Sequence, residues 1–303
     1  MTEMKLKRIL ASIAFILTIV LTLSSCDFSV HSDIPKSYDQ NGGKLVAHYL
    51  DVGQGDSIFI ELPNDQTMLI DSGENYHGAA IVDYIKDCGH TKIDYLVGTH
   101  PHSDHVGSMA YIIRNFDIGS VYLPDASTNT YTYEKMLEAI KKKGLKVTTA
   151  KTGVNILSDS DESLDINILA PSTTKNVKNL NNTSVVLKIK YADTSFLFTG
   201  DAEKSELKTL NGDLSADVLK VGHHGSDTST PQTLVDAVKP KIAVISVGKD
   251  NDYGHPSAKT LKRLENAGCE IYRTDQQQTV AVTSDGKNIE VETGFRTIER
   301  DQK

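Results

Sequence analysis

From Lys44 onward, apolar and polar positions follow two alternating rhythms. Where the apolar residues alternate, or run on for four to six positions between turn residues, the pattern is that of a strand. It predicts strands over 44–49, 57–62, 67–70, 93–98, 120–123 and 145–149. Further strands are expected over 164–170, 184–191, 194–198, 216–221, 242–247, 270–273, 279–283 and 288–293. Where apolar residues recur every three or four positions the pattern is helical, which predicts helices over 79–88, 108–115, 131–143, 231–238 and 257–267. Gly89, Gly144 and Gly268 stop three of them. Pro63-Asn64-Asp65 and Ala192-Asp193 read as hairpin turns. Strands interspersed with helices, without low-complexity segments or a short repeat, suggest sheets sandwiched between helices.

The first 43 residues follow neither rhythm. Lys5, Lys7 and Arg8 precede an uncharged, mostly apolar run from Ile9 to Ser25, then Cys26. This is the layout of an export signal, and the run is slightly shorter than the roughly 20 residues of a spanning helix. Leu23-Ser24-Ser25-Cys26 resembles the bacterial lipobox, which implies cleavage before Cys26 and lipidation of its thiol and new amine. The expected organisation is a signal peptide over 1–25, lipidated Cys26 with a polar tether over 26–43, and one domain over 44–303. The domain would be exported and lipid-anchored at the outer face of the bacterial cytoplasmic membrane, touching it only through the anchor. An uncleaved anchor and a plain signal peptide are the alternatives, and both also export the domain.

Composition refines this. The 303 residues are 39% hydrophobic and 24% charged, which excludes a disordered chain and a polytopic membrane protein. The 32 Lys and Arg against 40 Asp and Glu give a formal charge of −8. Loss of Glu3, Lys5, Lys7 and Arg8, a net +2, leaves −10. Such a balance argues against a protein that lives by clamping nucleic-acid backbones. Three Cys make no disulfide framework. With Cys26 lipidated, Cys88 and Cys269 remain, and sequence leaves open whether they pair.

The ten His are more informative. His100-Pro101-His102-Ser103-Asp104-His105 places four potential ligands just past a buried strand. Imidazole and carboxylate together suit transition metals such as Zn²⁺. His100 and His102 can converge on one ion while Asp104 and His105 turn toward a second. Asp201 ends another strand in Thr199-Gly200-Asp201. His223-His224-Gly225-Ser226 and Tyr253-Gly254-His255-Pro256 follow two more.

His-x-His-x-Asp-His at a strand end resembles the signature of the metallo-β-lactamase fold. The sequence is similar above all to the β-lactamase-like domain of ComEC-type DNA-uptake proteins. The likeness runs through seven ordered segments across 44–293: 50–57, 69–73, 99–107, 182–186, 197–201, 219–226 and 253–256. It implies an α/β fold, a four-layer αββα sandwich, with two divalent metal ions, Zn or Mn. It places His100 and His102 at a first site, Asp104 and His105 at a second, and Asp201 between them. The last ligand is left among three histidines, with preference for His255, then His224, then His223. Asp104, His224 and His223 are expected to take part in catalysis. Asp56 and Asp71 are expected near the metal face, Asp71 holding a ligand imidazole. Asn182, Ser184 and Ser226 are expected around the substrate. One departure matters: no His lies between His105 and His223, where most members of the fold supply one. Asn181-Asn182-Thr183-Ser184 occupies the corresponding region, so the first metal should bind loosely, or the site should accept Mn²⁺ as well as Zn²⁺.

The expected activity is metal-dependent hydrolysis of a phosphodiester, with DNA as the substrate the resemblance suggests. The acidic charge restrains that reading. A small ester, lactone, β-lactam or phosphocholine-type envelope substrate is the alternative within hydrolases. A non-catalytic, envelope-binding lipoprotein is the alternative outside them. No P-loop, Rossmann or nucleophile-elbow motif is present, and no protein partner can be inferred.

Overall fold

A computed structural model describes residues 42–157, 163–175 and 177–301. Contacts divide the chain into Met1–Ser32 and Asp33–Lys303. The first unit, with the expected signal peptide and Cys26, lies outside the described residues, as does nearly all of the expected tether. The strands in chain order are β1 (Leu45–Tyr49), β2 (Ile58–Glu61), β3 (Thr67–Ile70), β4 (Lys92–Val97), β5 (Asp117–Leu123), β6 (Val147–Thr149) and β7 (Leu164–Ala170). They continue with β8 (Val186–Tyr191), β9 (Thr194–Phe198), β10 (Val218–Lys220), β11 (Ile242–Ile245), β12 (Glu270–Arg273), β13 (Thr279–Ser284) and β14 (Ile289–Phe295). The helices are α1 (Gly78–Asp87), α2 (Ser103–Val106), α3 (Met109–Asn115), α4 (Tyr131–Lys142), α5 (Lys204–Leu207), α6 (Gln232–Val238), α7 (Ala258–Asn266) and α8 (Thr274–Gln277).

One sheet has the order β14-β13-β1-β2-β3-β4-β5-β6, the other β12-β11-β10-β9-β8-β7. In the first, β13, β1, β2 and β3 pair antiparallel, whereas β3 to β6 run parallel. In the second, β7 to β9 are antiparallel and β9 to β12 parallel. Parallel neighbours need crossover connections. Here α1, α3 and α4 supply them for the first sheet, and α6 and α7 for β10 to β12.

The sheets face one another through alternate residues. Leu45, Ala47 and Tyr49 of β1 and Ile58 and Ile60 of β2 meet Leu187, Ile189, Phe196 and Phe198 in one core. The Tyr49 and Phe198 rings stack with centroids 6.2 Å apart. Phe59, Leu69, Leu96 and Val121 turn to the outer side, against the apolar faces of α1, α3 and α4. Leu197, Leu219, Ala243 and Ile245 do the same against α6 and α7. The layers are therefore helix, sheet, sheet, helix. Among the described residues no helix is long and apolar enough to cross a membrane.

Predicted strands and helices reappear within a few residues of their expected ends. The one-turn helices α2, α5 and α8 had no periodicity to betray them, because four residues do not complete an apolar repeat. Cys88 is buried and Cys269 half-buried, and among the described residues both are free thiols. The Cys269 thiol is hydrogen-bonded to the Pro240 carbonyl at 3.2 Å.

Candidate metal centre

The parallel strands deliver the chemistry. Asp71 follows β3, Thr99 and His100 follow β4, Asp201 follows β9, His223 and His224 follow β10, and Ser246 follows β11. Ligand sites of α/β sheets gather at such carboxyl ends. Sharp backbone turns aim the side chains. Asp71, His223 and His224 have φ of 59°, 50° and 51°. Each is a left-handed conformation that costs an L-residue roughly 1–2 kcal/mol, so packing must hold it. His223 N donates to Gly200 O at 3.1 Å, which joins the β10 turn to the β9 turn.

His105 Nε2 lies 3.3 Å from Asp201 Oδ1 and 3.8 Å from Asp104 Oδ2. His224 Nε2 lies 3.3 Å from Asp104 Oδ2 and 3.9 Å from Asp201 Oδ2. One donor atom each of Asp104, His105, Asp201 and His224 falls within 4.8 Å of the others. Beside this group, His100 Nε2 is 3.9 Å and His223 Nε2 3.6 Å from Asp201 Oδ2. His102 Nδ1 is 2.9 Å from His100 Nε2. Asp201 is thus common to both halves of the site. Of the three histidines left open by the sequence, His224 joins the compact group. The His255 ring lies outside it, 6.5 Å from that of His224 and 5.5 Å from that of His223 between centroids.

Among the described residues, buried His105 Nε2 and Asp201 Oδ1 have no hydrogen-bond partner although they face one another. Native proteins rarely strand such atoms. A cation between imidazole and carboxylate would satisfy both, so the donor set fits a divalent metal. Electrostatics agree. Burial pushes the His105 imidazole down, but Asp201, Asp104 and Asp71 together carry it well above its usual range. Burial likewise opposes a charge on His224, yet Asp201, Asp104 and Asp56 raise it to about 10. Both shifts record the negative charge gathered around these two rings. His100 is instead driven well below its usual range by burial and by the charge on His105.

The supports are equally specific. Asp71 accepts from Thr99 N at 2.8 Å and Thr99 Oγ1 at 2.7 Å, and faces His105 Nδ1 at 2.8 Å. His224 Nδ1 contacts Ser246 O at 3.0 Å and Asp56 Oδ1 at 3.3 Å. Ser184 Oγ accepts from Asp201 N at 3.1 Å. Asn182 Oδ1 accepts from Glu203 N and Glu206 N, so it caps α5. Asn181 instead faces His223, its Nδ2 lying 3.5 Å from His223 Nδ1 and its Oδ1 buried without a partner among the described residues. Ser226 Oγ bonds within its own turn, to Thr228. Sequence reasoning passed over Thr99, Asn181, Glu203, Lys220 and Ser246. None sits in a ligand-like pattern, although Asn181 lies in the segment flagged for its missing histidine.

Residues 50–249 match the Metallo-beta-lactamase superfamily. The chain belongs to that superfamily, and is a metal-dependent hydrolase of it. It is 32% identical over 251 residues to ComE operon protein 3 of Bacillus subtilis, covering 76% of this chain and 32% of that protein. It is 29% identical over 230 residues to competence protein ComA of Neisseria gonorrhoeae, covering 74% and 30%. It is 26% identical over 249 residues to recombination protein 2 of Haemophilus influenzae, covering 80% and 29%. The chain therefore spans about a third of the length of these relatives. Among solved structures, the diiron β-hydroxylase CmlA from Streptomyces venezuelae shares the fold. It has a TM-score of 0.50 and 18% identity, with 76% of this chain and 52% of that one covered.

Proposed function

We propose that this hydrolase is an exported phosphodiesterase that cleaves DNA strands. The observation that carries the reading is the group Asp104, His105, Asp201 and His224, whose donor atoms lie within 4.8 Å of one another beside the partly exposed His223. Asp104, His105, Asp201 and His224 would hold one divalent ion, Zn²⁺ or Mn²⁺, and His100, His102 and Asp201 a second. Such ions, when bound, polarise a phosphoryl oxygen and make water nucleophilic at neutral pH. The protein does the rest. Asp71 and Ser246 fix the rings of His105 and His224. His223 stands at the rim, its side chain 25% exposed, with Nδ1 3.7 Å from Glu203 Oε1. From the rim the His223 ring would hold or return a proton at the leaving oxygen.

DNA is supported by the likeness to two proteins named for competence and for recombination. It is supported also by Tyr253, which is 72% exposed and stacked on His255 at 5.7 Å. Its outer face offers a base a platform worth about 1–3 kcal/mol. On the same reading residues 1–25 are removed as a signal peptide, Cys26 carries the lipid, and 44–303 act as one tethered domain. Metabolic labelling with palmitate, lost in Cys26→Ser, tests the anchor.

The activity is tested by assaying the protein with Mn²⁺ or Zn²⁺ on linear DNA, bis-(p-nitrophenyl) phosphate, a lactone and nitrocefin, with His102→Ala as control. DNA and phosphodiester turnover, lost in His102→Ala, is expected. Ester or lactone turnover without DNA cleavage overturns the substrate. Tyr253→Ala should raise KM for single-stranded DNA roughly 5–100-fold and leave the small phosphodiester unchanged.

A further inference from the structure

Lys220 is the last residue of β10 and is 1% exposed. Its Nζ donates to Asp56 Oδ2 at 2.7 Å and to Val221 O at 3.1 Å. Asp56 is equally buried, and lies 164 residues away on the turn before β2 of the other sheet. A buried pair of this kind adds little net stability, because desolvation offsets the attraction. Its place in the fold gives it another use. Asp56 N donates to Asp104 O at 3.1 Å, and Gly73 N to Asp56 O at 2.8 Å. Asp56 Oδ1 faces His224 Nδ1 at 3.3 Å, beside the Ser246 carbonyl. Thus Asp56 touches the loop carrying Asp104 and the ring of His224 at once, while Lys220 holds it from the strand that leads to His223 and His224. Asp56, Asp71 and His105 also bring donor atoms within 4.8 Å of one another, a group able to attract a cation of its own.

We propose that the Lys220–Asp56 ion pair is the clamp that sets the span between the Asp104–His105 loop and His224 within one ligand group, with the Lys220 ammonium serving as a built-in cation for Asp56. Lys220 is a positioning residue: it touches no ligand atom of the cage and acts through Asp56. The inference rests on the metal-holding part of the proposed function and not on the phosphodiester substrate.

The test uses the full-length chain in detergent, stripped of metal and titrated with Zn²⁺ against a chromophoric chelator. Lys220→Met leaves Asp56 buried and unpaired, which is strongly destabilising by itself. The double variant Lys220→Met/Asp56→Asn removes both charges and is the deciding one, with circular dichroism and thermal unfolding reporting its fold. A purely structural pair would shift the melting temperature and leave Zn²⁺ affinity of the folded protein alone. A clamp predicts at least a tenfold loss of Zn²⁺ affinity in the folded double variant, and any smaller loss overturns the proposal. Should the double variant not fold, Asp56→Asn is read against the same threshold. Turnover of bis-(p-nitrophenyl) phosphate by the wild type is measured separately. Its absence would count against the phosphodiesterase reading and leave the Zn²⁺ result standing.

Discussion

His105 Nδ1 lies 2.8 Å from Asp71 Oδ2 with both side chains fully buried, which turns Nε2 of the same ring toward Asp201 at 3.3 Å. A carboxylate behind a ligating imidazole fixes its tautomer and raises its basicity. Asp71 also anchors Thr99 through two hydrogen bonds, so it holds the start of the His100–His105 loop. Asp71→Ala is expected to weaken metal binding 10–100-fold. Leaving the Thr99 donors unpaired should also cost about 2–3 kcal/mol. Chelator competition and denaturant unfolding measure the two effects. A folded variant with wild-type metal affinity would remove Asp71 from the metal's support.

Two ions should bind unequally. The Asp104–His105–Asp201–His224 group is compact, with its donors within 4.8 Å. No His lies between His105 and His223 in the sequence to complete the half built on His100 and His102. Stepwise Zn²⁺ binding is expected in calorimetry, and two equally tight ions would contradict it. An ion that binds the folded but not the unfolded protein adds about 2.7 kcal/mol at 100 times its Kd. For a domain of this size that raises Tm by roughly 5–10 °C. Stripping with EDTA should lower Tm by a similar amount, and re-addition of Zn²⁺ should restore it.

Much of this was readable in the chain because strands with one or both faces buried write their period into the sequence, as β7 does by alternating buried and half-buried residues. The His100–His105 cluster was equally open, since its ligands are neighbours. What could not be read depends on distance or on backbone turns. Lys220 looked like one polar position in a short strand, since its partner lies 164 residues away. The preference for His255 over His224 as the last ligand could not anticipate that His223 and His224 both turn left-handed and bring the second ring against Asp104. The role of Asn182 as the cap of α5 was hidden because a helix of one turn leaves no periodic trace.

Far from the metal centre, Glu61 receives His48 at 2.9 Å and His90 at 3.0 Å, one on each carboxylate oxygen. Burial pushes its carboxyl up, but the two imidazoles outweigh that and hold it at about 2, against an ordinary 4.5. The unfolded chain therefore takes up the proton first as pH falls. The stabilisation is complete above about pH 4.5 and is lost as pH drops through about 2. A difference of this size corresponds to about 3 kcal/mol. Glu61→Gln should lower stability at pH 7 by an amount of that order, with the gap to wild type closing toward pH 2. Urea unfolding at pH 7, 4 and 3 measures it, and a gap that stayed constant with pH would refute the assignment.

Gly55 links the local backbone to the metal. Its φ is +153°, and a Cβ placed there would sit 2.5 Å from the carbonyl oxygen of Asp104. That oxygen already accepts the Asp56 N–H at 3.1 Å, and it is backbone, so no rotamer change can relieve the clash. Either the 53–56 turn must lift away or Asp104 must swing out of the cage. Gly55→Ala should therefore cost at least about 2 kcal/mol and lower metal affinity roughly tenfold, a factor equivalent to about 1.4 kcal/mol. Gly53 supplies the control. It too is left-handed, with φ +68°, but nothing lies within 4 Å of its added Cβ. Gly53→Ala should carry only the conformational cost of about 1–2 kcal/mol and keep its metal affinity. Parallel Zn²⁺ titrations of the two variants decide the matter: equal losses would mean that the turn bears on Asp104 through flexibility alone, and a loss confined to Gly55→Ala would mean that close contact with the Asp104 carbonyl positions the ligand.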